Sequence, residues 1–409
     1  MAKNIVFTAI VALISCPLLA TAHAEPPLYT ITDLGTFGGT NSIGTGINAS
    51  GQVTGDATFP GDTVHHAFIH SNGSLRDLGA LGAATNSSVG SGINDSRDVA
   101  GSSVIGHDQN GNAIFHAFLY HNGVMHDLGT NGGIDSGAEA INNHDQVTGS
   151  YIDTTSHVFI YSKGAIQDIG AIGTGFGIND SGEITGGYVD LIPCAPPLPL
   201  PCLALNRAFL YRNGVVQDLG TLGGDGSGGA AINALGEITG TSTLTPNGFN
   251  HAFLCRDGVM YDLGTLGENL SEGYGINDKG EVVGLIGANE GNTQAFVYDD
   301  GTMYDLNKLI APTDPLASTV KFVQGLAINN TGQIAASGCY TSGALNSECH
   351  AFRLDPVPVF AGTPGKANCH GQSVSALAKQ YGGVNNAAAA LGFDSVSALQ
   401  NAIMAFCEG

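Results

Sequence analysis

Five histidines stand just before an Ala-Phe or Val-Phe pair, at His66, His116, His157, His251 and His350. Imidazoles are good metal ligands, but one ion holds its nitrogens at about 2.0–2.1 Å and needs them all in one place. These five are separated by whole repeats, and two further copies of the word carry Arg207 and Gln294 instead. Equivalent positions in a circular array stand one per repeat around its circumference and cannot converge. The spacing therefore predicts structural imidazoles that bond a nearby turn or repeat. The aspartates of Asp-Leu-Gly and its variants recur at Asp33, Asp77, Asp127, Asp168, Asp218, Asp262 and Asp305, and those of Gly-Ile-Asn-Asp at Asp95, Asp180 and Asp278. Asp and Asn organise turns by bonding their own backbone, so both sets are expected to be scaffold.

Site chemistry then falls to acids that do not repeat. Asp62, Asp135, Glu139, Glu268, Glu272 and Asp314 are the candidates on the unevenly looped side. Their carboxylates suit calcium, the one cofactor suggested, or acid–base work. Nothing in their spacing brings two of them together. "GGDGSGG" at 223–229 resembles a phosphate cradle or a calcium roll, but it lacks the Walker lysine pattern and is not iterated, so it reads as a link between repeats.

Eight cysteines are present. In an oxidising compartment three local pairs suggest themselves: Cys194–Cys202 around "APPLPLP", Cys339–Cys349, and Cys369–Cys407 in the tail. Loop entropy gives roughly 2–3 kcal/mol for the first and roughly 4 kcal/mol for the tail. Cys16 would leave with a leader, and Cys255, standing where other copies have Tyr120 or Tyr211, is expected to be a buried free thiol.

The elements that position these residues follow from three words in fixed order. The Ile-Asn word begins at Ile47, Ile93, Ile141, Ile178, Ile232, Ile276 and Ile328. The His-Ala-Phe word is centred on Phe68, Phe118, Phe159, Phe209, Phe253, Phe296 and Phe352, and the Asp-Leu-Gly word completes each set. Periods of 20–50 residues are those of propellers and solenoids. "SGEITG" (181–186) and "HAFLY" (116–120) read as strands, Asn122-Gly123 and its equivalents as hairpin turns, and "VVQDLG" as a fourth strand. Four strands in each of seven units predict an all-β, seven-bladed β-propeller. The chain opens on a lone fourth strand, "LYTITDLG" (28–35), and its last unit ends on a third, "HAFRL" (350–354). The first strand is therefore expected to complete the last blade and remove the exposed edges. A right-handed β-helix is the alternative, but its coils are shorter than this period.

The three ordered words resemble the probable extracellular repeat family named for HAF, over about Tyr29 to Leu354. Departures are Val158 for Ala, Arg207 and Gln294 for His, and Asn307 for the last glycine. The resemblance implies a secreted repeat protein and no established chemistry.

The expected domains are a leader at 1–24, the propeller at 25–354, a linker at 355–365 and a helical module at 366–409. The leader has Lys3, an apolar Ile5–Ala20 run and the small-x-small site Ala22-His23-Ala24. In the tail, 373–383 and 394–406 have helical periodicity, with "NNAAAAL" between them. The net charge of −22 repels phosphate backbones and anionic lipid, which argues against nucleic acid and membrane partners. The links at Gly187–Asn206 and 307–325 break the uniform pattern, and uneven loops on a rigid scaffold are where binding sites are built. The leading expectation is a secreted or periplasmic module that binds polysaccharide or a surface partner on that face and at the channel mouth. A polysaccharide lyase or hydrolase at the mouth, or a structural envelope protein, are the alternatives. The absence of Trp weakens the case for sugar stacking, though 12 Tyr remain.

Overall fold

The computed structural model describes residues 27–408 except 84, 194–200, 247, 290, 343–347, 358–364, 392 and 394. The expected leader falls outside these residues, as does Cys194 of the expected Cys194–Cys202 pair. Each repeat forms four antiparallel strands in meander order. In the first unit they are Ser42–Ile47, Val53–Thr58, His65–Ser71 and Ser74–Asp77. The third and fourth units share one long strand, Ala165–Ile178, because the repeat is shortest there and leaves no room for a link. The last unit has three strands of its own, Val320–Ile328, Ile334–Tyr340 and Cys349–Pro356. Its fourth is the N-terminal strand Tyr29–Asp33, in register from Tyr29 opposite Pro356 to Asp33 opposite Phe352.

The third-strand phenylalanine of every unit is fully buried. Phe118 packs with Ala67 and Ile69 of the preceding unit, and Phe68 packs with Ala335 and Ala351 of the last. Apolar cores thus lie between neighbouring units, and the first and last units share one. Truncating such a phenylalanine to alanine would cost on the order of 3–5 kcal/mol. First strands of neighbouring units approach at glycine distance. A Cβ on Gly275 would lie 2.9 Å from the Ala327 Cα, and one on Gly92 3.2 Å from the Ala140 Cα.

Asparagines of the Ile-Asn word tie the units together on the inner side. Each Nδ2 donates to the main-chain carbonyl of the next asparagine: Asn48 to Asn94 (3.0 Å), Asn94 to Asn142 (3.3 Å), Asn142 to Asn179 (2.9 Å), Asn179 to Asn233 (3.1 Å), Asn233 to Asn277 (3.0 Å) and Asn277 to Asn329 (3.0 Å). Asn329 donates to Asn48 at 3.0 Å, so the series returns to its start.

Two expected loops differ. Gly187–Asn206 continues its hairpin, with Val189 opposite Asn206 and Ile192 opposite Leu203, so pairing extends well beyond the repeat. The 307–325 segment lies against the N-terminal strand. Tyr29 N–H donates to Leu309 O, Ala311 N–H to Tyr29 O, and Ile31 N–H to the Asp314 carboxylate at 2.8 Å.

Cys339–Cys349 and Cys369–Cys407 are disulfides, and Cys255 is a buried free thiol. In the tail, α1 (Cys369–Gln380), α2 (Val384–Ala390) and α3 (Val396–Glu408) enclose Leu377, Ala387, Leu399 and Ile403. The expected spacer is itself helical, since alanine has the best helix propensity. The preceding strand runs to Pro356, into the expected linker. Among the described residues no helix is long and apolar enough to cross a membrane.

Asn329→Ala strips a buried acceptor on Asn48 of its donor and frees two turn amides. It should lower the unfolding free energy by about 2–4 kcal/mol, and Asn233→Ala by a similar amount. Urea unfolding of both variants checks this. A loss at Asn233 without one at Asn329 would mean that the two ends are not joined by the same bond.

Candidate functional site

A recess of ≈ 260 Å³ opens where the first strands end. The seven isoleucines of the Ile-Asn word line it, followed by the asparagines. Its rim is the next residue of each unit: Ala49, Asp95, Asn143, Asp180, Ala234, Asp278 and Asn330. Local turn chemistry builds this arrangement. Asn48 Oδ1 accepts from Ser50 N–H (3.1 Å) and Gln52 N–H (3.0 Å), closing its turn and aiming Nδ2 at the next unit. Rim side chains link the turns again. Asp95 Oδ1 accepts from Ala49 N–H, Asp180 Oδ1 from Asn143 N–H and Asp278 Oδ1 from Ala234 N–H, at 2.8–2.9 Å. Asn143 Nδ2 bridges Asp95 Oδ2 and Asp180 Oδ2, both at 3.1 Å, and Asn330 Nδ2 donates to Asp278 Oδ2 at 2.6 Å.

The mouth therefore carries three carboxylates and two carboxamides. Such a rim can accept hydrogen bonds from hydroxyl or ammonium groups, and it disfavours anions. Sequence reading placed these aspartates in the scaffold, which they also are. The available signal was the uneven residue after Ile-Asn: Ala, Asp, Asn, Asp, Ala, Asp, Asn.

The six candidate acids are dispersed. Asp62 accepts from Thr40 N–H and Oγ1 and from Thr58 Oγ1, which together hold its carboxyl below the usual range. Asp135 accepts from Phe115 N–H, and Asp314 from Ile31 and Leu316 N–H. Glu268 lies in the link before the sixth unit, where Thr265 Oγ1 bonds its main-chain carbonyl. Glu272, on a first strand, accepts from Tyr274 Oη at 2.6 Å and Asn250 Nδ2 at 3.3 Å. Glu139 lies at the first-strand bulge of the third unit. Among the described residues, no three of these acids gather around a metal-sized space.

Each repeated histidine bonds the repeated aspartate of its own sheet. His66 Nδ1 is 2.9 Å from Asp77, His116 2.9 Å from Asp127, His157 3.2 Å from Asp168 and His251 3.0 Å from Asp262. His350 reaches Asp33 at 3.0 Å, across the chain's two ends. The same aspartates accept from the amide two residues on, as Asp77 does from Gly79 at 2.7 Å. The "GGDGSGG" segment is a link: Gly224 N–H donates to Thr243 O, and Thr221 Oγ1 to Gly224 O.

No family model matches the chain, and no curated protein does. Among solved structures, it is similar to the β-propeller domain of the Trilobed protease from Pyrococcus furiosus, at 15% identity over 68% of this chain and 83% of that one, with a TM-score of 0.44. TolB from Acinetobacter baumannii is 11% identical over 64% of this chain and 63% of its own, with a TM-score of 0.38. The acylaminoacyl peptidase of Pyrococcus horikoshii is 11% identical over 73% of this chain and 50% of its own, with a TM-score of 0.40.

Two acids on the inner strands have displaced titrations. Asp56, opposite Ile43 on the second strand of the first unit, and Glu139 are each pushed up to about 7 by burial. An acid whose folded pKa exceeds its unfolded value near 4 stabilises the fold below about pH 4, and this contribution is lost as pH rises towards 7. Asp56→Asn and Glu139→Gln keep the neutral form at all pH values. Both should flatten the fall of Tm between about pH 4 and 8 and melt above the parent at pH 8. Thermal melts across that range check the sign, and parallel curves for parent and variants would refute the displaced titrations.

Proposed function

We propose that the seven units close into one seven-bladed β-propeller of the HAF repeat type, with Tyr29–Asp33 as the outer strand of the last blade. In this reading the protein is an exported binding module, and its site is the channel mouth. The rim of three carboxylates and two carboxamides around a small recess carries it. Such a rim suits the hydroxyls of a neutral glycan or the ammonium of an amino sugar, whether on a polysaccharide end or on a surface partner, and uronate-rich polymers are repelled. Shared cores between adjacent units and the returning asparagine series support closure. Two disulfides fit an oxidising compartment.

Calorimetric titration with neutral, amino-bearing and uronate oligosaccharides tests the binding site. Saturating heats are expected for the first two classes. Asp95→Asn, Asp180→Asn and Asp278→Asn combined, which keep the Oδ1 acceptors of the turn amides but lose the Oδ2 acceptors of Asn143 and Asn330, should weaken amino-sugar binding at least about tenfold, as loss of charge-assisted bonds does. Unchanged binding in the triple variant would move the site elsewhere.

A lyase or hydrolase is the second reading, favoured by the high pKa of Asp56 and Glu139, which suits a general acid near neutrality. Heat that continues after each injection, lost in Glu139→Gln, would establish it in place of simple binding.

A further inference from the structure

The seam between the second and third units breaks the repeat at three positions, and the three side chains meet. In most units the asparagine Nδ2 also bonds a Gln or Glu side chain four residues on, as in Asn48–Gln52, Asn142–Gln146 and Asn179–Glu183, all at 2.8 Å. The second unit has Asp98 there, one methylene shorter. Asn94 Nδ2 turns instead to Asp145 Oδ1 of the third unit, at 3.0 Å. Asp145 stands at a turn position with φ of 57°, filled by glycine in five other units, among them Gly51 and Gly182. An L-residue with a Cβ is disfavoured in that conformation.

His121 is the third departure. At its position, two other units place Arg212 against Glu183 and Arg256 against Glu237, neutralising the acid. The second unit instead sets two acids against one imidazole. His121 Nδ1 lies 3.0 Å from Asp98 Oδ1, yet it is buried without an aligned hydrogen bond. The Asp98 side chain is only 7% exposed. Ligand atoms of Asp98, His121 and Asp145 all lie within 4.8 Å of one another.

We propose that Asp98, His121 and Asp145 form a binding site for a first-row divalent transition ion of the zinc class. One imidazole nitrogen and two carboxylate oxygens suit such an ion, whereas calcium takes six to eight oxygens. The ion replaces the arginine of two other units as counter-charge and ties two neighbouring sheets together. Asn122 Nδ2 lies 2.7 Å from His121 Nε2 on the far side of the ring; a metal on Nδ1 makes Nε2 the N–H donor, so the Asn122 amide then turns to present its oxygen. The partly exposed edge of His121 leaves remaining coordination positions to water.

Zinc titration of the full chain, by calorimetry and by thermal melting, tests the site. The parent should bind one equivalent more than Asp145→Gly and should melt higher with zinc, while the variant loses both effects. Glycine is the residue of five other units at this turn, so the variant folds and its loss of binding cannot be ascribed to unfolding. Asp98→Gln, which restores the usual partner of the asparagine, should weaken zinc at least about tenfold. Cobalt(II) should give a visible absorption band in the parent that is missing from Asp145→Gly. Equal zinc stoichiometry in parent and Asp145→Gly would overturn the site. Equally tight calcium binding lost in the same variant would overturn the metal class.

Discussion

A single side-chain bond, repeated seven times, governs the inner architecture. Each asparagine amide faces two ways: its oxygen gathers the amides of its own turn, and its nitrogen reaches the next unit's carbonyl. Turn formation and unit-to-unit spacing are therefore one event. Because the carbonyl is buried, any gap in the series leaves an acceptor without water, and each unit is held at the separation its neighbours require. Glycines such as Gly275 and Gly92 follow from the same constraint, since first strands brought this close leave no space for a Cβ.

The outer network has a different logic. In five units the histidine of the third strand and the aspartate of the fourth meet within one sheet, so two of the three repeated words are two halves of one contact. A serine at the start of the next unit completes it, as Ser88 Oγ accepts from Ala67 N–H and donates to Gly79 O. Hydrogen bonds and apolar cores thus both run between units, and a solitary unit would leave each half-made. Repeats of this kind derive their stability from neighbours.

Strand order, the paired first and last strands, the buried phenylalanines, Cys255 and two cysteine pairs could be read from the sequence, because each depends on local periodicity or on residue type. The mouth could not. Asp95, Asp180 and Asp278 look like ordinary turn aspartates in one dimension, and only the fold brings them onto one rim. Seam chemistry at Asp98, His121 and Asp145 was hidden for a related reason, as each is a modest change in its own repeat and they matter only jointly. Two prominent irregular links have structural explanations that one dimension did not show. The 307–325 segment breaks the pattern because it embraces the N-terminal strand, and the Gly187–Asn206 segment because its hairpin is longer.

The placement of Tyr29–Asp33 sets an order of events on the ribosome. Its partner strand, Cys349–Pro356, is made more than three hundred residues later, and the clasping segment around Leu309 and Asp314 only slightly before it. This strand is consequently made before its partners and placed only after them. Until then it waits with its backbone unpaired, while the first unit presents Val53, Ala57 and Phe68 to water instead of to Ala335 and Ala351. Synthesis of this chain thus includes a long interval in which one raw edge and one open apolar face coexist, and whatever shields nascent chains must cover both ends of the same molecule.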